Sequence, residues 1–271
     1  METQIRSNNK ILKFENGSLQ EKEDQIVTEF PLTVMLNGIE FATMVCTPKN
    51  LEELIFGFLA SEGVIRFNDD VKELHIDESK GFAYVETAKQ TPANQQFYSK
   101  RFIGSCCGKS RQFYFYNDAK TAKTSTSKVT LTPEQCIHFM KALQDNSVVF
   151  QETGGVHNAA LFSPNGIIVN RADIGRHNAL DKILGYCVQN RIPVQDKIIA
   201  FSGRISSEVL LKAAKIGVGI ILSKSAPTDL AIKLADDLNI TAVGFIRGSS
   251  FNVYSHSERI VAARASREDV N

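Results

Sequence analysis

The sequence predicts an α/β protein in two parts: a smaller, β-rich α+β unit over residues 1–128 and a layered α/β unit over 129–271. Three observations carry this. From 197 to 245, short apolar runs alternate three times with amphipathic helical stretches across short turns, the pattern of a layered domain with a largely parallel sheet. Before residue 130, β patterns dominate and one stretch alone has helical spacing. Between the two, residues 118–128 are rich in Lys, Thr and Ser and lack hydrophobic periodicity, as an exposed connection would be.

The elements follow in order. Residues 1–28 read as a loose polar lead-in. Residues 31–37 form a strand, Asn37-Gly38 a hairpin turn, and 39–46 the return strand. Thr47-Pro48-Lys49-Asn50 starts a helix that runs to Glu62, with Leu51, Leu54, Ile55, Phe58 and Leu59 at helical spacing, and Gly63 stops it. Residues 71–76 and 82–87 are two more strands. In the second unit Thr132 is the N-cap and Pro133 the first residue of a helix to Leu143. Strands at 159–162 and 167–170 flank the turn Pro164-Asn165-Gly166. The alternation then runs helix 176–189, strand 197–201, helix 206–215, strand 218–222, helix 228–238 and strand 241–245.

Composition excludes several classes. At 43% hydrophobic and 23% charged residues, the 271-residue chain is an ordinary globular protein, and its net charge of +1 gives no electrostatic case for nucleic acid. No apolar run has the roughly 20 residues of a membrane span. The first 22 residues lack the apolar core of a signal peptide, so the expected location is cytoplasmic. The five cysteines are an odd number for such a reducing compartment, and none has zinc-site spacing, so neither a disulfide framework nor a metal site is expected. Cys46, Cys136 and Cys187 fall in strand or helix patterns and are expected to be buried.

Cys106 and Cys107 are different. They stand in Gly104-Ser105-Cys106-Cys107-Gly108-Lys109, between glycines, with Lys100, Arg101, Lys109 and Arg111 nearby. Glycines strip side-chain cover, and positive charge favours the nucleophilic thiolate. A buried hydrophobic pair is the competing reading, and this context argues against it.

Four further stretches gather polar groups next to predicted strands. Thr153-Gly154-Gly155-Val156-His157 delivers an imidazole just before a strand. Gly175-Arg176-His177 opens a helix after one, where an N-terminus favours an anion. Ser202-Gly203-Arg204 follows the next strand, and Phe245-Ile246-Arg247-Gly248-Ser249-Ser250 follows the last. Three strand ends carrying Gly and Arg point to a phosphate-bearing ligand at the carboxyl edge of the sheet. Phe245 could pack on a guanine ring while Arg247 and the amides of Gly248 and Ser249 meet phosphate. Alternatively the arginines pair with Asp173, Glu208 or Asp229 and only hold the domain together.

Together these residues resemble the FdhD family, the formate dehydrogenase accessory sulfurtransferases. The resemblance spans Thr47 to Glu52, Gly57 to Gly63, the cysteine stretch, Thr153 to Ala160, Ser202 to Glu208 and Phe245 to His256. Its most specific part is Asp-x-Gly-Arg-His-Asn-Ala-x-Asp-Lys at 173–182. One departure stands out. The family usually carries Cys-Gly-x-Cys-Gly, whereas here Gly104 stands at the first cysteine, Cys106 at the variable position, and Cys107-Gly108 matches directly. Sliding the loop gives either Cys106 or Cys107 the role of the first cysteine.

The resemblance implies a sulfurtransferase acting through a cysteine persulfide, with Cys107 the nucleophile and Cys106 assisting. Sulfur would pass from a cysteine desulfurase to the molybdenum cofactor, bis(molybdopterin guanine dinucleotide), before its insertion into formate dehydrogenase. A cytidine-deaminase-like second domain, GDP as a ligand mimic and a homodimer are further implications. No deaminase activity is implied, because the His/Cys zinc set and catalytic Glu are absent from the second unit. A non-covalent cofactor chaperone and a vicinal-thiol redox sensor are the rival readings.

Overall fold

The computed structural model describes residues 4–88, the backbone of 101–103, and residues 122–262. The expected loose lead-in is instead a hairpin. β1 (Arg6–Glu15) pairs antiparallel with β2 (Ser18–Val27), from Arg6↔Val27 to Glu15↔Ser18. Asn16 (φ 53°) and Gly17 (φ 81°) close it in the left-handed pair that a two-residue primed turn requires. Its base is tied down by an Arg6–Glu152 ion pair, and its tip exposes Leu12, Phe14 and Leu19.

The first unit is a five-stranded sheet in the order β5-β6-β3-β4-β7, covered, among the described residues, by one helix. Its strands are β3 (Phe30–Leu36), β4 (Ile39–Cys46), β5 (Val71–Asp77), β6 (Phe82–Thr87) and β7 (Arg101–Ile103). Leu32, Val34, Met44, Ala83 and Val85 of the sheet pack against Leu54, Ile55 and Leu59 of α1 (Leu51–Ser61). That helix begins four residues later than the sequence pattern suggests. Asn50 caps it in the left-handed region, and Thr47 is engaged elsewhere: its N–H donates to Asp173 Oδ2 (3.0 Å) and its Oγ1 accepts from Ile174 N–H (3.1 Å).

The described part of the expected exposed linker, residues 122–128, is not free either. Ser125 and Ser127 are buried, Ser125 N–H donates to Leu238 O (2.8 Å), and Asn239 Nδ2 donates to Ser125 O (2.7 Å). Small hydroxyl residues make a segment polar without stopping it from docking.

The second unit has a six-stranded sheet in the order β13-β12-β11-β10-β8-β9. Its strands are β8 (His157–Ser163), β9 (Gly166–Asp173), β10 (Ile198–Phe201), β11 (Ile220–Ser223), β12 (Thr241–Arg247) and β13 (Ser250–Val253). The sheet is mixed rather than largely parallel. Only β10/β11 and β11/β12 run parallel; the other three pairings are antiparallel. Turns as short as 164–165 and 248–249 can only fold a strand back on its neighbour, because a parallel return needs a crossover of a dozen or more residues.

Strand alternation splits the core in two. Ala160, Phe162, Ala200, Leu222 and Val243 pack under α2 (Pro133–Asp145) through Cys136, Phe139, Met140 and Leu143. Ala159, Leu161, Ile199, Phe201 and Ile221 face α4 (Arg176–Gln189) and α5 (Ser207–Ile216), with Ala231 and Ala235 of α6 (Asp229–Asp237) in the same cluster. The short α3 (Val148–Thr153) follows α2. Thr132 and Gln135 form the reciprocal capping box at the start of α2.

The two units join where α1 crosses α4. A Cβ added at Gly57 would stand 1.7 Å from Asp181 O, and one at Gly185 would stand 1.8 Å from Glu53 O. The backbones touch there because neither helix has a side chain at the crossing. Glu53 closes one flank by pairing with Arg171, and Lys212 the other by bridging Asp181 and Ser61.

Candidate functional site

β10, β11 and β12 run parallel and end at one edge of the sheet. β8 runs against β10, so it starts there, and β9 returns to the same edge with Asp173 opposite His157. Five segments therefore meet along it: 157–158, 174–177, 202–204, 223–225 and 245–250. Hydrogen bonds stitch neighbours together. Asn158 N–H donates to Ser202 Oγ (2.9 Å), and Ser202 N–H to Asn158 O (3.0 Å). Ser223 Oγ donates to Gly203 O (2.7 Å), Ser225 Oγ to Ser202 O (3.3 Å) and Phe245 N–H to Ser225 O (3.3 Å). The Gly175-Arg176 and Phe245-to-Ser250 segments thus share an edge, but four strand spacings part them, about 19 Å at ~4.8 Å each.

One cation stands at or just past the end of each of four strands on this edge: Arg176, Arg204, Lys224 and Arg247. The last three are exposed, and Arg176 is half-buried, its Nε without a hydrogen-bond partner among the described residues. Lys224 was legible in principle, since Ser223-Lys224-Ser225 follows a strand as Ser202-Gly203-Arg204 does. Asp173 is taken by Lys182, and Glu208 lies 3.0 Å from His177. Arg247 stacks over the Phe245 ring, 5.4 Å from its centroid. Phe245 itself has φ 54° at a bulge between Gly244 and Arg247, a conformation an aromatic residue rarely adopts, and the residue is 38% exposed. Ile246, between them, turns inward to the core under α2, so it offers no side chain to the edge.

The 173–182 stretch divides its labour. Asp173 and Lys182, both fully buried, pair at 2.7 Å. Lys182 Nζ also donates to the carbonyls of Thr47 and Ala172 (3.2 Å each). Asp173 Oδ1 accepts from Gly175 N–H (2.7 Å) and Asn178 Nδ2 (2.9 Å), and Asn178 Nδ2 also reaches Val45 O (2.9 Å). These residues clamp the end of β4 to the start of α4. Arg176 and His177 are left half-exposed at the edge. Beside them His157 is held below its ordinary pKa by burial and then by the Arg176 charge, which keeps the imidazole neutral near pH 7. Gly203 leaves it room: a Cβ there would stand 3.2 Å from His157 Nδ1 and 3.0 Å from the Phe201 ring.

Cys46, Cys136 and Cys187 are buried free thiols. Burial pushes Cys136 and Cys187 up to about 12, and Cys46, with Asp173 adding to its burial, also well up. Cys106 and Cys107 lie outside the described residues. The strand just before them does not: β7 runs parallel to β4 with Ile103 opposite Met44. Ile103 precedes Cys106 by three residues, as Met44 precedes Thr47. Among the described residues no helix is long and apolar enough to cross a membrane.

The FdhD/NarQ family model matches residues 27–261. The sulfur carrier protein FdhD of Halalkalibacterium halodurans is 60% identical over 266 residues, 97% of this chain and 98% of that one. The protein of the same name from Staphylococcus aureus strain MRSA252 is 62% identical over 251 residues, 93% of this chain and 95% of that one. A crystal structure from Desulfotalea psychrophila, assigned as a formate dehydrogenase accessory protein, superposes with a TM-score of 0.77 at 25% identity, covering 95% of this chain and all of that one.

Proposed function

The chain belongs to the FdhD/NarQ family, and on that premise we propose that it is a sulfur carrier for formate dehydrogenase, working by persulfide transfer. Cys107, as thiolate, attacks the terminal sulfur of a cysteine desulfurase persulfide. The donor's S–S bond breaks, the donor leaves as thiolate, and Cys107 holds the persulfide. In the second step the new S–S bond breaks and Cys107 keeps the electron pair. The sulfur departs as a sulfane atom, and its reduction to sulfide takes two electrons from the acceptor or from a thiol. The acceptor is the molybdenum cofactor as substrate, its phosphates lying along the Arg176, Arg204, Lys224 and Arg247 row. Ser202, Gly203, Gly175 and His177 shape that edge, while Phe245, Gly248, Ser249 and Ser250 offer a ring face and turn amides to a guanine nucleotide. A homodimer, a cytoplasmic location and a cytidine-deaminase-like second unit belong to the same reading.

What supports it is the register of β7. Thr47 is bonded to Asp173 at this edge, and β7 heads the same way beside β4. In the sequence Cys106 and Cys107 follow Ile103, the last residue of β7, by three and four positions. Incubation with desulfurase and cysteine, then mass spectrometry, tests the carrier. One added sulfur atom on the peptide bearing Cys106 and Cys107 is expected, with Cys46, Cys136 and Cys187 unlabelled. Cofactor binding without an adduct would leave a chaperone, and a Cys106–Cys107 disulfide formed with oxidant alone would favour a redox sensor.

GDP tests the phosphate edge. It should raise the melting temperature, and Arg247→Ala should weaken that rise with little change in the protein alone, because the guanidinium is exposed and its contact in the structure is the Phe245 ring. Arginines that only held the domain together would give no GDP effect and a variant destabilised by about 0.5–3 kcal/mol.

A further inference from the structure

A cavity of about 970 Å³ lies where the C-terminal ends of α1, α4 and α5 meet. Val194 and Ile216, which line it, precede β10 and β11, so it sits at the amino ends of those strands, across the second sheet from the cationic row. Its volume is at the upper end of the ordinary range for small-molecule sites, ~300–1,000 Å³. Ile65 of the first unit and Leu184, Val188 and Ile192 of the second give it an aliphatic lining. The charges around it do not cancel. Asp69 is paired with Arg191 (2.9 Å), and Asp70 Oδ2 accepts from the N–H groups of Arg66 (2.7 Å) and Phe67 (2.8 Å). Lys215 Nζ donates to Ser61 O (2.8 Å) at the end of α1. Arg66 and Lys123 also line the cavity, are exposed, and have no carboxylate partner among the described residues.

We propose that this cavity binds an anionic amphiphile, a flexible aliphatic chain ending in a carboxylate. Aliphatic side chains make no directional demand, so a flexible chain can follow their surface and leave water at no polar cost. Both acids on the lining are already engaged, whereas Arg66 and Lys123 come from two separate segments and leave positive charge for the head group. Because residues of both units form the walls, the bound chain ties the units together and stabilises the folded protein by mass action. The site is apart from the sulfur-carrier chemistry and does not rest on it.

The test titrates the full-length protein with hexanoate, octanoate and decanoate by calorimetry, with 1-decanol as the uncharged control. Affinity should climb about fifteenfold for each two carbons added, the scale of burying two methylenes, and decanoate should raise the melting temperature. Decanoate should bind more tightly than decanol. Arg66→Gln combined with Lys123→Gln should weaken decanoate by about fivefold at most per charge and leave decanol unchanged. Ile192→Trp, at a half-buried position on the lining, should weaken both by about tenfold or more. No binding at millimolar decanoate, or an affinity that ignores chain length, would overturn the proposal. So would Ile192→Trp binding decanoate as the parent protein does, since the chain would then lie elsewhere. If the two cations only complement the partial negative charge of the helix ends, their replacement lowers the melting temperature of the ligand-free protein and leaves decanoate affinity intact, which removes the anionic head group from the proposal. Should Ile192→Trp not fold, the chain-length series and the Arg66/Lys123 variant decide, for both of those residues are exposed.

Discussion

Cys107→Ser is expected to yield no active formate dehydrogenase when it replaces the native chain in a strain lacking its own copy, with the fold unchanged by circular dichroism. A serine hydroxyl cannot hold a sulfane atom, so the loss should be complete rather than graded. No other described thiol can take over. At a pKa of about 12, only about one Cys136 or Cys187 in 10⁵ is thiolate at pH 7, and both are buried besides. Cys106→Ser should be milder, because Cys107-Gly108 is the pair that keeps the family spacing. Normal dehydrogenase activity with Cys107→Ser would show that the nucleophile has been assigned wrongly.

Lys182→Met should give the largest loss of stability, about 3–5 kcal/mol, the usual cost of leaving a buried partner charge alone. Asp173 is fully buried and would keep only its neutral N–H donors from Thr47, Gly175 and Asn178. Methionine fills much of the lysine's volume, so the loss reports charge rather than packing. In the double variant with Asp173→Leu part of the stability should return, but not all, because those three donors then lose their acceptor. Urea denaturation of the four proteins of this cycle measures the coupling. A single-variant loss under about 1 kcal/mol would mean that the pair contributes little to the join.

That join was only half legible in the sequence. Asn178, Asp181, Lys182 and Gly185 fall three and four apart along α4, all on its buried side. A polar stripe where an amphipathic helix should be apolar is a sequence signal for a buried network, although its partner Thr47, 135 residues before Lys182, is not in view. Thr47 shows the other limit. Its pattern is that of a helix start, and a tertiary bond to Asp173 overrides it. Two of the three Asn-Gly turns make a matched pair. The one at 37–38 is flanked by apolar alternation, whereas the one at 16–17 is flanked by Lys, Glu and Gln, since most of that ribbon faces solvent. Strand direction was hidden as well, because four buried residues in a row look the same in parallel and antiparallel pairs. The chemistry of the edge was clearer, for residue types at strand ends are local: Arg176, Arg204 and Arg247 stand where the alternation suggests. The bulge at Phe245 and the inward turn of Ile246 depend on register, which composition does not carry.

The crossing of α1 and α4 has a consequence for cooperativity. A contact between side chains can loosen by rotamer changes, but Gly57 against Asp181 O and Gly185 against Glu53 O is main chain on main chain. Any fluctuation that parts the helices must move a whole backbone and uncover the Asp173–Lys182 pair in the same event. The two sheets therefore open together or not at all, and smaller adjustments are left to the segments at the edge of the second sheet.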